Sequence, residues 1–275
     1  MSVGNEAQGP ASPLATAEPW DLVAEAYAED ALPYFESFSR EALRLAELPA
    51  DPHIADVACG PGTLGLLAAA AGARVSAIDV SPRMVEAFRA RAADAGLTQV
   101  VDIRLGDGQQ LPFETGAYDG AFSMFGLMFF PDRVAGMREL LRLLRPGARA
   151  VVSSWVPFEG PFGTLFEAAR EVLPGLPIAG GRFPLSTPEE IRAELSAAGF
   201  RVVSVETVSQ QLNAASFEAF WETMLRTNAP LALIRHRLAD RWATLMPRIR
   251  DRVHTALGDG PVVIGRGAYL GIGTA

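Results

Sequence analysis

Residues 53–71 constrain the fold of this chain more than any other stretch. His53-Ile-Ala-Asp-Val-Ala58 reads as a short buried strand, and Thr63-Leu-Gly-Leu-Leu-Ala-Ala-Ala-Ala71 reads as a helix. Cys59-Gly60-Pro61-Gly62 turns the chain between them. A strand, a glycine turn and a helix start make a ligand-binding corner of an α/β sheet. Gly60, Gly62 and Gly65 also satisfy the dinucleotide spacing G-x-G-x-x-G. Asp56 speaks against a pyrophosphate at this corner, because phosphate seeks backbone N–H groups and a positive helix end, and a carboxylate repels it. A ligand that carries an ammonium and no phosphate would welcome that carboxylate.

The flanking residues extend the pattern. Residues 20–29 and 34–48 have helical spacing, and Pro49-Ala-Asp-Pro52 breaks it before the first strand. Residues 73–79 read as a second strand, with Ser81 as N-cap and Pro82 as first residue of the next helix, to about residue 95. Strands are expected at 100–105 and 118–124, a helix at 132–144 ended by Arg145-Pro146-Gly147, and a fifth strand at 148–155. Such alternation implies a doubly wound parallel α/β sheet with its ligand at the strand C-termini. The second half departs from it. Residues 158–185 are rich in Pro, Gly and Phe, and Thr187-Pro-Glu-Glu190 is a capping box. Residues 201–209 alternate like a strand, 212–260 look mostly helical, and 261–271 return to strand character.

Bulk properties narrow the partners. The chain has 275 residues, 49% of them hydrophobic, so a packed core is expected. Its formal charge of −8 disfavours nucleic acid, where Lys and Arg must neutralise phosphates. Cys59 is the only cysteine, which removes any internal disulfide or cysteine-based metal cluster and fits the cytoplasm; no metal site is expected. Residues 1–19 hold no Lys or Arg and read as a flexible tail, and no apolar run is long enough to span a bilayer.

With these segments in order, the chain resembles a class I S-adenosylmethionine-dependent methyltransferase, of the small-molecule type typified by ubiquinone and menaquinone biosynthesis methyltransferases. Four motifs carry the resemblance. The first is Asp56-Val-Ala-Cys-Gly-Pro-Gly62, in which Ala58 stands at the family's first glycine. The resemblance implies that Asp56 and the backbone at Ala58, Gly60 and Gly62 hold the amino-acid part of the cofactor. The second is Asp79 at the end of the second strand, where a carboxylate can accept both ribose hydroxyl protons. Val80 and Met84 would then flank the adenine. The third, Gly106-Asp107-Gly-Gln-Gln-Leu-Pro-Phe113, implies that Asp107 and the backbone at Gly108 or Gln109 read the adenine edge. The fourth is Tyr118-Asp119 leading to Ser123-Met-Phe-Gly-Leu-Met-Phe-Phe-Pro131, in which Ser123, Met124 and Phe125 would pass beneath the transferring methyl.

The resemblance further implies a Rossmann-like seven-stranded sheet, mostly parallel with its last strand antiparallel. Residues 20–275 would form one methyltransferase domain, with cap elements at about 20–48, 158–186 and 212–260. Trp20 and Tyr27, seven residues apart on one helix face, would close over the cofactor, with Tyr27 as the lid contact.

The implied reaction is direct in-line transfer of a methyl group to an oxygen, carbon or nitrogen of a small, largely apolar acceptor. The absence of an Asn-Pro-Pro-Tyr-like segment and the single cysteine favour such an acceptor over a base or a glutamine. His53 lies at the strand end away from the ligand edge and reads as structural, and His236 and His254 fall in the inserted helices, so no catalytic base is assigned. A homodimer is left open. Two other readings stay in view: a nicotinamide-dinucleotide oxidoreductase using Gly60-x-Gly62-x-x-Gly65, and a non-catalytic cofactor-binding regulator.

Overall fold

The computed structural model describes residues 12–158 and 183–275, together with Gly160, Gly163 and Glu167. Expectations for residues 1–11 of the tail and for most of the 158–186 cap segment lie outside the described residues.

Seven strands form one sheet: β1 (His53–Val57), β2 (Arg74–Asp79), β3 (Val101–Leu105), β4 (Tyr118–Ser123), β5 (Leu144–Trp155), β6 (Arg201–Ala214) and β7 (Val262–Thr274), in the order β3-β2-β1-β4-β5-β7-β6. The pairs among β1 to β5 are parallel, and β7 runs antiparallel to both β5 and β6, as the family resemblance implied. The order reverses at β1, whose neighbours are β2 and β4. That reversal opens a crevice at the strand C-termini, where open α/β sheets bind ligands.

Short helices at the N-terminus, α1 (Glu18–Asp21) and α2 (Ala24–Ala26), lead through a π turn (Tyr27–Ala31) into α3 (Leu32–Leu45). The single helix expected over 20–29 is therefore broken, and the next one starts two residues earlier than its spacing predicts. Pro33 in the first turn of α3 lacks the N–H that a continuous α-helix would use, so the preceding turn widens instead. Nor is the tail loose through residue 19: Pro13–Ala15 form a 3-10 turn, and Leu14 is buried.

The central helices are α4 (Thr63–Ala70), α5 (Pro82–Asp94), α6 (Arg133–Leu143) and α7 (Pro188–Ala198). The expected caps are in place: Met84 N–H donates to Ser81 Oγ at 3.1 Å, and Glu190 N–H donates to Thr187 Oγ1 at 3.2 Å. β5 begins earlier than expected because Leu144 already pairs with Tyr118; the register then shifts around Gly147, whose φ is 83°.

Phe38, Phe88 and Phe122 are fully buried in the main core. Each such side chain contributes about 1.5–3 kcal/mol of burial. The insertion folds as α8 (Phe217–Thr227), α9 (Ala229–Arg237) and α10 (Ala239–Leu257). It has an apolar cluster of its own, centred on Phe217, Phe220, Ile249 and Val253 and joined by Val262 and Ile264 of β7.

Candidate active site

A cavity of about 230 Å³ opens above the C-termini of β1, β2 and β4. Its floor at one end is the glycine corner. Gly60 has a φ of 53° and nothing within 4 Å of where a Cβ would stand, so its face is open to a ligand. Gly62 and Gly65 serve packing instead. A Cβ on Gly62 would lie 2.2 Å from Phe88, and one on Gly65 would lie 2.7 Å from the same ring. This close approach of α4 to Phe88 explains the second and third glycines without any ligand. Ala58 lines the cavity with a φ of 55°, a left-handed conformation that a glycine would adopt with less strain.

Two buried carboxylates face this end. Asp56 is 1% exposed, and its Oδ2 accepts the Gly65 N–H at 3.0 Å. Burial pushes its carboxyl up to about 7; the Gly65 N–H opposes the rise and the Asp79 charge adds to it. Asp79 accepts Gly60 N–H at 2.8 Å on Oδ2 and Ser81 N–H at 2.9 Å on Oδ1. Burial raises it to about 6 against those hydrogen bonds. Their free lone pairs suit hydroxyl donors and a cation, not phosphate.

The other end is aromatic. Phe125 stacks on Trp155 with ring centroids 4.0 Å apart, and Phe35 meets it edge-on at 5.3 Å. Phe125 is held at φ 58° while its N–H donates to Ser153 Oγ at 2.9 Å. A bulky residue in that conformation is strained, and such strain gathers at functional positions. Tyr27 stacks on Phe35 and also lines the cavity.

Of the expected site residues, Tyr27, Asp56, Ala58, Gly60, Asp79, Val80, Met84, Met124 and Phe125 meet around this cavity. Gly62, Ser123, Asp107, Gly108 and Gln109 do not line it. Ser123 Oγ accepts Leu127 N–H at 3.1 Å and so caps the following turn. Asp107 folds onto its own loop by accepting Gln109 N–H at 2.9 Å, and the Phe130 ring covers Gly108, 2.4 Å from where a Cβ would stand. His53 donates its N–H to Asp119 and shares its ring nitrogen with Ser76 Oγ at 3.0 Å, away from the cavity. His236 and His254 do not line it either.

Several residues of the site escape sequence reasoning. Asp21 of α1 accepts the Ser81 hydroxyl at 2.6 Å and the Arg83 N–H at 3.2 Å, which pins the N-terminal segment to the start of α5. Trp155 and Arg266 enter from β5 and β7. Position at a strand end was the only prior signal for Trp155, and Arg266, inside β7, had none.

The comparisons with known proteins agree with this arrangement. A model described as a methyltransferase domain matches residues 54–147. Nocamycin O-methyltransferase of Saccharothrix syringae is 31% identical over 228 residues, covering 75% of this chain and 81% of that protein. The chain belongs to the S-adenosylmethionine-dependent methyltransferases. Demethylmenaquinone methyltransferase of Thermus thermophilus is 35% identical over 179 residues, covering 59% of this chain and 80% of the relative. Uncharacterised relatives from Mycobacterium tuberculosis are 38% identical, but the chain spans only 44% of their length. Among solved structures, the [4+2]-cyclase SpnF superposes with a TM-score of 0.61 at 21% identity, covering 96% of this chain and 97% of that one. Likeness at that identity shows the fold alone, and a cyclase on this methyltransferase fold illustrates that the reaction must be argued from the site. A nicotinamide dinucleotide is not favoured. Among the described residues no helix is long and apolar enough to cross a membrane, and no group of metal-ligating side chains occurs.

Proposed function

We propose that this chain catalyses methyl transfer from S-adenosylmethionine to a small acceptor bound against the aromatic wall of the cavity. One observation carries the reading: the buried carboxylates of Asp56 and Asp79 at neighbouring strand ends, beside the open backbone of Gly60. In this reading Asp79 accepts the ribose hydroxyls, Asp56 and the 58–60 backbone hold the amino-acid end, and Val80 and Met84 border the adenine. Asp107, Gly108 and Gln109 read its edge once Phe130 moves off Gly108. Residues 20–275 act as one domain, with the N-terminal helices and the 212–260 insertion as a cap.

When bound, the cofactor supplies a methyl carbon already activated by its sulfonium. The chain's own residues then have two tasks: to orient the acceptor in line with that carbon and to keep water out. Phe125, Phe129 and Trp155 form the dry wall for this. No histidine lines the cavity, and no side chain is assigned as a general base.

Titration calorimetry with S-adenosylhomocysteine tests the reading. Asp79→Asn and Asp79→Ala should each weaken binding by about ten- to a hundredfold, the loss of charge-assisted hydrogen bonds worth about 1.5–3 kcal/mol. Unchanged affinity in both variants, or tighter binding of a nicotinamide dinucleotide by the wild type, would sink it.

A further inference from the structure

The cavity has a charge at each end. Opposite Asp56 and Asp79, the guanidinium of Arg266 on β7 enters the aromatic end. Its central carbon lies 3.8 Å from the Trp155 ring centre, 5.0 Å from that of Phe158 and 5.7 Å from that of Tyr34. Its Nε is buried, and burial lowers its pKa to about 10. A cation spread over aromatic faces keeps its planar fork of donors oriented, which is the shape that meets a carboxylate or another anionic oxygen.

Two phenols sit with it. Tyr34 lines the cavity, its hydroxyl oxygen is buried, and among the described residues that oxygen has no hydrogen-bond partner. Burial pushes the phenol up to about 12, with Arg266 pulling the other way, so it stands as a neutral donor. Tyr27 lies between the charged ends. Burial raises its pKa strongly, the field of Arg266 opposes the rise and that of Asp79 adds to it.

We infer that Arg266, with Tyr34 beside it, is the specificity determinant for an anionic acceptor: a flat apolar body carrying one carboxylate or ionised enol or phenol. The negative end takes the cationic cofactor, and the positive end takes the anionic acceptor, so each ligand is repelled from the other's place. Fork and phenol offer donors to one anionic oxygen group, while Phe125 and Trp155 take the apolar body. The expectation of a largely apolar acceptor is thereby sharpened. The inference rests on the methyl-transfer reading and fails separately from it.

The test uses the full chain saturated with S-adenosylhomocysteine, with 2-naphthoate, its neutral counterpart 2-naphthamide and 4-nitrophenolate as probes. Calorimetry should show an anionic probe binding the wild type at least about tenfold more tightly than 2-naphthamide. Whichever of naphthoate and nitrophenolate binds better identifies the anion class. Arg266→Gln should reduce that preference to within about twofold while leaving S-adenosylhomocysteine affinity intact, and Arg266→Lys, which keeps the charge but not the fork, should fall between. Equal affinity of the wild type for charged and neutral probes, or binding of neither anion, overturns the inference. So does a preference that survives in Arg266→Gln. Loss of S-adenosylhomocysteine binding by the wild type would instead overturn the cofactor reading.

Discussion

Asp56→Asn should stabilise the ligand-free protein, and by an amount that grows with pH. The carboxyl stands at about 7 in the folded chain against an ordinary value of 3.8, chiefly because it is buried. A folded-state value raised above the unfolded one means that the folded chain holds its proton longer. Stability is therefore unaffected below about pH 4 and is lost as the pH rises toward and through 7. The full loss is about 4 kcal/mol, somewhat under half of it present at pH 5 and the rest accruing by pH 8. Asparagine can still accept the Gly65 N–H but has no charge to bury. The advantage of the variant over wild type should thus widen by about 2–3 kcal/mol between pH 5 and pH 8, roughly 5 °C or more in Tm for a domain of this size. Urea denaturation of both proteins across that range, without ligand, measures it. Taking the difference cancels the titration of the surface ion pairs. A difference that stays flat with pH, or narrows, refutes the argument that Asp56 is held against its own desolvation. The same variant should bind S-adenosylhomocysteine more weakly, because the charge that costs stability is the one the cationic end needs.

Further outcomes follow from the geometry. Gly126→Ala would place a Cβ 2.3 Å from Ala58 Cβ and 3.3 Å from its carbonyl oxygen, so it should cost about 1–3 kcal/mol in denaturant unfolding and shift the cavity floor. Arg226 of α8 reaches Glu29 at 2.8 Å and Asp30 at 2.9 Å, and joins the insertion to the N-terminal helices. Arg226→Ala should change stability by no more than about 1 kcal/mol. It should nevertheless speed S-adenosylhomocysteine release severalfold in stopped flow, and the difference should shrink as salt is added. A release rate unchanged at low salt would show that this ion pair does not hold the cap shut.

The core architecture was legible because its signals are local. The alternation of β1 to β5 with α4 to α6, the Ser81 and Thr187 caps and the turn at Gly60 each depend on residues a few positions apart. Carboxylates at the strand ends could be found because a strand end is a place in sequence as well as in space. Other features depend on distance. Residues 20–29 were read as one regular helix because apolar spacing does not register the wide turn that precedes Pro33. The Ser81 hydroxyl was predicted as a cap, but its bond to Asp21 spans 60 residues. Gly62 and Gly65 looked like ligand contacts until Phe88 supplied another reason for them. Arg266 read as one more residue in a glycine-flanked strand, since the rings around it come from α3, β5 and the residue three beyond that strand's end.

β7 pairs with β5 only over its second half, from Ala268 opposite Trp155 to Thr274 opposite Arg149. Its first half, from Val262 to Arg266, pairs with β6 alone and forms a two-stranded arm. Arg266 stands at the root of that arm, and the whole insertion hangs from its tip. A change in the arm therefore leaves the pairing of β1 with β2 and β4 as it is, and reaches the cofactor half only through the insertion, whose Ala229 packs beside Met84. A lineage carrying this fold can vary the acceptor end through one hairpin and its helices, while the strand pairing that presents Asp56 and Asp79 stays the same.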